Sequence, residues 1–477
     1  MILGIVVAGL FVVALIGFFA RRRPAPNLSE WTVAGRRFGS ATLWFLQAGE
    51  IFTTYTFLGI AGLTFVGGVA VLYSMPFEGL GFIGLYFLAP RLWHYARDRG
   101  LLTQSDFLES VYGSRVLGIV AAISIILFTL PYLQIQLVGL ESIVQLATGS
   151  RTSGVIAIVI GAVLIIGFML WSGLRAVAYQ SYFKDVLLIV VMAILIVAVP
   201  SHIAGGIPQV FEKLQTAKPA VLMLHHGPFD TVWFLTSLGV SATTIFFLAQ
   251  AGTYPVIFAA RSARAAQRNY IFLPLYFLIL GAPMVIGFTA ILALHGPASA
   301  DAAVLILAAR SLPPWLLGVV AVGGCTAALV PSAGLLLTIS TNFARNLARV
   351  RSAGAQHAIN HVAMAVALAA AVVISILRPD LIALLALLSY SGGVQLVPAA
   401  AVALIPRAPF VRAPGIIGGL VVGEVVVILM TALNVDVANI NVGVFGLACN
   451  VVVIALVEGA LRLLTPRSSA VVHAGGG

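Results

Sequence analysis

The sequence predicts an all-α polytopic membrane protein with about thirteen transmembrane helices, and three observations predict it. Of its 477 residues, 61% are hydrophobic and only 9% charged, with a mean hydropathy of +1.09, the composition of a chain that lives in lipid. Thirteen apolar runs are long enough to cross hydrocarbon, which takes roughly 20 residues per helix. Lys and Arg alternate between the two sides of those runs: with the N-terminus outside, 21 of the 26 fall in segments assigned inside and 5 in segments assigned outside. That asymmetry is the signature of membrane topology, so the net charge of +11 reflects loop placement rather than nucleic-acid binding.

Taken in order, the first run, 2–20, has no basic stretch before it and Arg21, Arg22 and Arg23 directly after it. This is the pattern of an anchor with an outer N-terminus rather than of a cleaved leader. The second run, 40–66, contains Gly49, Glu50, Ile51, Phe52, Thr53, Thr54, Tyr55 and Thr56. An acid and four other polar side chains inside hydrocarbon must face protein or a water-filled cavity, so this cluster marks a site or a packing seam.

The third run is 69–93. A short amphipathic surface helix over 104–112 precedes runs 116–147, 154–171 and 176–199. Hydropathy then falls over 200–230, read as the longest outer loop, which carries the solvated pair His225 and His226. Runs 231–258, 270–294, 315–343, 359–377, 381–405, 415–433 and 442–463 complete the set, and the tail beyond Pro466 is read as disordered and cytoplasmic.

Several functions are disfavoured. Cys325 and Cys449 lie inside apolar runs without metal-ligand spacing and read as small buried hydrophobes. None of the three lysines, Lys184, Lys213 and Lys218, belongs to a phosphate-binding loop, so no ATPase is built in. No nucleophile, base and orienting group recur together, so the chain is not read as an enzyme.

The run Trp31-Thr32-Val33-Ala34-Gly35-Arg36-Arg37-Phe38-Gly39, the polar second run and Leu58-Gly59-Ile60-Ala61-Gly62 together resemble the opening of the sodium:solute symporter family. Ser172-Gly173-Leu174-Arg175-Ala176-Val177 looks like that family's inner turn between its fifth and sixth helices. Thr253-Tyr254-Pro255, Leu273-Pro274-Leu275-Tyr276, Ala328-Leu329-Val330-Pro331-Ser332 and Gly392-Gly393-Val394-Gln395-Leu396-Val397-Pro398 are similar to its monocarboxylate-permease branch. The likeness spans roughly residues 27–412.

What the resemblance implies is a LeuT-like fold of two inverted five-helix repeats, each opening with a broken helix whose freed backbone groups bind ion and solute near the midplane. An extra helix and inner loop (1–38) then precede the core (39–412, with repeats 39–199 and 231–412), and two further helices and a tail (413–477) follow it. The residues show two candidate breaks on their own account, 49–56 and Gln250-Ala251-Gly252-Thr253-Tyr254-Pro255, where glycine and proline weaken the helix.

Carried over by motif, a sodium ion would meet the backbone of Gly49 and Phe52 on one side and Ala328 and Ser332 on the other, hard oxygens that suit it. Pro331 stands where many members have a second hydroxyl, and Ser181 where many have an aspartate. Glu50, inside the expected break, is therefore the candidate for taking up a proton with an anionic solute. Asp185, beside Lys184, reads as a residue snorkelling to the inner interface.

The solute-binding candidates are Thr53, Thr54, Thr56, Gln136, Gln250, Tyr390 and Gln395, hydroxyls and amides on or facing the breaks. No arginine lies at the midplane to clamp a carboxylate.

The sequence thus predicts a cation-coupled symporter in the cell's inner membrane. It would move a small organic solute, a short monocarboxylate before all, with Na+ or H+ and without a further cofactor. An amino-acid or pantothenate-type symporter is the alternative within the class, and a channel-like or sensory membrane subunit the alternative outside it.

Overall fold

Apolar runs punctuated by glycine, proline and short charged stretches can satisfy their backbone groups in lipid only as helices. In the computed structural model every regular element among the described residues is accordingly helical, apart from one isolated bridge between Phe38 and Ala260. The structure describes residues 1–464 except 22–23, 225–226, 251, 295–299, 351, 378–381 and 405–408. Arg22, Arg23, His225, His226, Ala251 and the tail beyond Pro466 lie outside the described residues.

The chain opens with α1 (Ile2–Phe19) and, after a short turn, the first broken helix: α2 (Ser40–Ile51), a wide turn over Tyr55–Gly59, and α3 (Ile60–Gly67). Then come α4 (Pro76–Arg99), α5 (Gln104–Tyr112), α6 (Arg115–Thr148), α7 (Arg151–Ser172) and α8 (Leu174–Ala204). The second broken helix is α9 (Thr231–Phe246) with α10 (Thr253–Ala259). It is followed by α11 (Ala263–Phe272) running into α12 (Phe277–Ala293), α13 (Pro314–Asn342), α14 (Ala353–Leu377), α15 (Ile382–Gly393) with α16 (Val397–Leu404), α17 (Ala413–Ala432) and α18 (Val442–Leu464).

Eleven helical stretches are long and apolar enough to cross a membrane. One of them, Tyr55–Arg99, has 45 residues, enough for two crossings, and Thr231–Phe246 is a shorter apolar helix besides. Counted so, the described residues carry the thirteen passes that the hydropathy predicts. The surface helix α5 appears with the predicted bounds, capped by the Thr103 hydroxyl, which accepts from the Asp106 amide at 2.9 Å, and closed by Gly113 at φ 60°. The 200–230 segment holds more structure than a loop: the helix Ile207–Ala217 seats Val210 and Leu214 against Phe288 and Ile291 of α12.

Helix α13 is the axis of the protein, with 83% of its apolar window buried against 17% for α1 and 17% for α18. Its glycines explain the closeness. A Cβ on Gly324 would come 2.7 Å from Phe57 and from Ile143, and one on Gly334 would overlap the carboxyl of Glu50. Small residues let backbones approach where lipid offers no hydrophobic drive for association.

The first break falls where it was predicted. Helix α2 stops at Ile51 and Phe52 leaves the helical region at φ −80°, ψ 82°. The second is displaced towards the N-terminus from the predicted 250–255. It lies between Phe246 and Thr253, with Leu248 at φ 63° and Gly252 at φ 87°, and Thr253, Tyr254 and Pro255 already belong to α10. Proline at 255 does not break the helix because it occupies the first turn, where its missing N–H has no intrahelical acceptor to serve.

Candidate functional site

Breaking α2 leaves backbone groups that need partners, and side chains from two other helices supply them. The amides of Phe52 and Thr53 bond back to Ala48 (2.8 Å) and Ile51 (3.0 Å). The Thr54 amide donates to Gln136 Oε1 of α6 at 3.2 Å, and the Tyr55 amide to Thr53 Oγ1 at 3.2 Å. The carbonyls of Gly49 and Phe52 both accept from Lys184 Nζ of α8, at 2.8 and 2.7 Å. Lys184 also pairs with Asp185 at 2.9 Å, and neither side chain has any exposure.

This corrects the reading of Asp185, beside Lys184, as a residue snorkelling to the inner interface. Both lie inside the protein against the first break, and the charge asymmetry of the loops stands without Lys184. Lysine is almost never fully buried unless paired, so a Lys-Asp doublet well inside an apolar helix was the available signal. Gly49 permits the approach, since a Cβ there would overlap the hydroxyl of Ser181.

The other carried-over positions lie on α13. Since Gly324 meets Phe57 beyond the break and Gly334 meets Glu50 before it, the residues between them, Ala328 to Ser332, share the height of the break. Ser332 Oγ donates to the Ala328 carbonyl at 2.8 Å, so these two oxygens bond to each other. Glu50 is buried, with Oε1 lacking a hydrogen-bond partner and Oε2 facing Gly252 of the second break.

The solute candidates divide into three groups. Gln250 and Tyr390 line a cavity of about 40 Å³ together with Ile125, Phe128, Thr129, Tyr132, Thr244 and Ser389, room for a few water-sized groups. Gln250 Nε2 donates to the Tyr390 hydroxyl at 3.2 Å, and Thr53 reaches the cavity wall through Tyr132, its Oγ1 lying 3.5 Å from the phenol oxygen.

Gln136, Thr54 and Thr56 serve the break itself. Gln136 holds the Thr54 amide, Thr56 Oγ1 donates to the Ile51 carbonyl at 2.9 Å, and the Thr54 side chain packs on Gly139 of α6. Gln395 belongs to neither set. Its side-chain Nε2 donates to the Gly443 carbonyl at 3.2 Å, and Asn450 Nδ2 donates to its backbone carbonyl at 2.8 Å and to its Oε1 at 3.4 Å, so it ties α15 and α16 to α18.

Sequence reasoning missed Thr129, Tyr132 and Ser389. The first two share with Gln136 one face of α6, at spacings of three and four residues, a pattern legible without coordinates. Ser389 precedes Tyr390 and shows itself only once α15 is placed.

A smaller cavity of about 10 Å³ shares Ile125 and Gln250 with the first and continues past Gly252 and Tyr254 to Thr338 and Asn342. Beyond it, Ser105 donates to Asn342 (2.7 Å), Thr103 to Asn346 (2.8 Å), and Arg345 pairs with Asp106 (3.1 Å).

A cavity lined by the second break, its wall reached from the first break through Thr53 and Tyr132, lies in an all-helical bundle of the kind the sequence resemblance implies, and comparison with known proteins decides the family. The profile of the sodium:solute symporter family matches residues 31–406. The chain belongs to that family.

An uncharacterized symporter of Bacillus subtilis (strain 168), YhjB, is 33% identical over 95% of this chain and 96% of its own length. The monocarboxylate transport permease protein of Rhizobium johnstonii is 28% identical over 86% of this chain and 85% of its own. Among solved structures, a Na+-coupled sialic acid symporter in a substrate-bound outward-open state superposes with a TM-score of 0.77 at 15% identity. That match covers 96% of this chain and 98% of the other. The fold is therefore the one this solved symporter has, and the chain is a membrane-spanning member of a transporter family.

Proposed function

We propose that this symporter carries a short monocarboxylate across the cell's inner membrane by alternating access. In this reading 39–199 and 231–412 are the two repeats, the N-terminus is outside and the C-terminus cytoplasmic. The observation that carries the reading is the set of donors facing the central cavity. The Tyr390 hydroxyl accepts from Gln250 and so keeps its own proton free, Ser389 Oγ has no partner, and Gln250 retains a second N–H. Hydroxyl and amide donors at one wall suit a carboxylate, and Phe128, Ile125 and Leu396 offer a small apolar wall for the rest of such a molecule.

Among the described residues the cavity lining contains no Asp or Glu to receive the ammonium of an amino acid, which favours the monocarboxylate over the amino-acid alternative. The named activity of the Rhizobium relative points the same way.

Uptake into proteoliposomes of labelled pyruvate, lactate, propionate, alanine and pantothenate, with sodium and proton gradients imposed separately, tests the proposal. Pyruvate, lactate or propionate should accumulate, and Tyr390→Phe should reduce that uptake. Accumulation of alanine or pantothenate alone would contradict it. Orientation is tested by thiol labelling: Gln215→Cys, at an exposed position, should react with an impermeant reagent from outside, and exposed Arg268→Cys only from inside.

A further inference from the structure

The family's name implies a sodium ion, which the residues at the carried-over positions would have to fit. They do not. The two carbonyls that motif carry-over assigns to the ion, those of Gly49 and Phe52, both accept from Lys184 Nζ, at 2.8 and 2.7 Å, and Asp185 Oδ1 lies 2.9 Å from the same nitrogen.

An ammonium has three N–H donors and no acceptor; two of them go to these carbonyls, and the Asp185 carboxylate beside them adds an ionic contact. The other two carried-over positions are bonded to each other, Ser332 Oγ donating to the Ala328 carbonyl at 2.8 Å. With Lys184 and Asp185 fully buried, a sodium ion could reach these carbonyls only by standing against a positive charge in a poorly screened interior.

We propose that the ε-ammonium of Lys184 is a tethered stand-in for the coupling cation. It holds the first break closed as an ion would, and the chain binds no sodium at Gly49 and Phe52. Asp185 is the counter-charge that lets the ammonium remain buried. The stand-in is part of α8 and cannot dissociate, so opening the first break must draw Nζ off both carbonyls, whereas in an ion-gated protein the ion leaves. Lys184 is thus a positioning residue for the break, acting from the helix that packs along α2. The meaning of this inference rests on the transporter reading, but its measurement does not.

The test is equilibrium binding of radioactive sodium ion to the purified full-length protein, with choline chloride keeping ionic strength constant, alongside melting temperature in sodium, potassium and choline chloride. The wild-type protein should bind no sodium saturably and should melt at the same temperature in all three salts, and Lys184→Arg should behave alike. Lys184→Ala leaves two carbonyls and a carboxylate around an open position, and should gain saturable sodium binding and a sodium-specific rise in melting temperature.

Saturable sodium binding by the wild-type protein, or a folded Lys184→Ala that binds none, overturns the assignment. Should Lys184→Ala fail to fold, the wild-type arm decides alone. Neither arm uses a transported solute, so failure of the solute panel leaves this result intact.

Discussion

The two broken helices solve the same problem in opposite ways. At the first, the groups freed beyond Ile51 are taken up by side chains from elsewhere in the bundle: Lys184 of α8 on two carbonyls and Gln136 of α6 on an amide, all buried. At the second, the backbone bonds among the described residues run within the segment itself. Phe247 bonds back to Thr243, Leu248 to Ile245 and Ala249 to Thr244, at 2.8 to 3.1 Å, and Leu248 and Gly252 take left-handed conformations. The first break is clamped from outside. The second is held by local geometry, which leaves Gln250 free to line the cavity.

The largest way to upset this contrast is to remove the clamp. Lys184→Met strands Asp185 as an unpaired buried charge and should cost about 3–5 kcal/mol, whereas the double change Lys184→Met with Asp185→Leu should recover much of that loss. Thermal melting in detergent measures both. If Lys184→Met melts like the wild-type protein, the clamp is not what holds the break.

Packing at the two breaks should differ next. Gly334→Ala drives a methyl into the Glu50 carboxyl, an overpacking change worth about 1–3 kcal/mol. Gly252→Ala meets only Glu50 Oε2, at an unstrained 3.5 Å, but must hold φ 87°, a left-handed cost of about 1–2 kcal/mol. Bulk should therefore dominate at the first break and backbone conformation at the second. Gly334→Ser melting no lower than Gly334→Ala would argue against the steric account.

Gln250→Ala should change stability least, within about 0.5 kcal/mol for a partly exposed side chain away from such features. It should still weaken uptake, with an apparent affinity roughly tenfold lower if one hydrogen bond to solute is lost. Wild-type KM in that variant would remove Gln250 from the solute site.

Much of this was legible without coordinates, and for a physical reason. Hydropathy and basic-residue placement report directly on crossing a membrane, so the thirteen passes and the bounds of α5 could be read from residues alone. The first break was legible because Glu50, Thr53, Thr54 and Thr56 break an otherwise apolar run.

The second was placed too late because Pro255 looks like a helix breaker, while the residue that departs from the helix, Leu248, has no conformational signature at all. Gln395 was placed with the solute candidates because a buried amide must be satisfied somewhere, and sequence cannot say whether by solute or, as here, by the Gly443 carbonyl and Asn450 Nδ2. Lys184 was missed because adjacent opposite charges near one end of a run suggest an interface, and only the packing of α8 on α2 turns them inward.

The claim that the first break is closed by a tethered cation is tested most directly by backbone hydrogen exchange, read by mass spectrometry in sodium chloride and in choline chloride. Peptides covering 47–57 should rank among the slow exchangers and keep the same rate in both salts, since Lys184 and Gln136 are always present to hold them. Marked slowing of exchange in 47–57 on adding sodium, with the remaining peptides unchanged, would mean that an ion and not Lys184 closes the break.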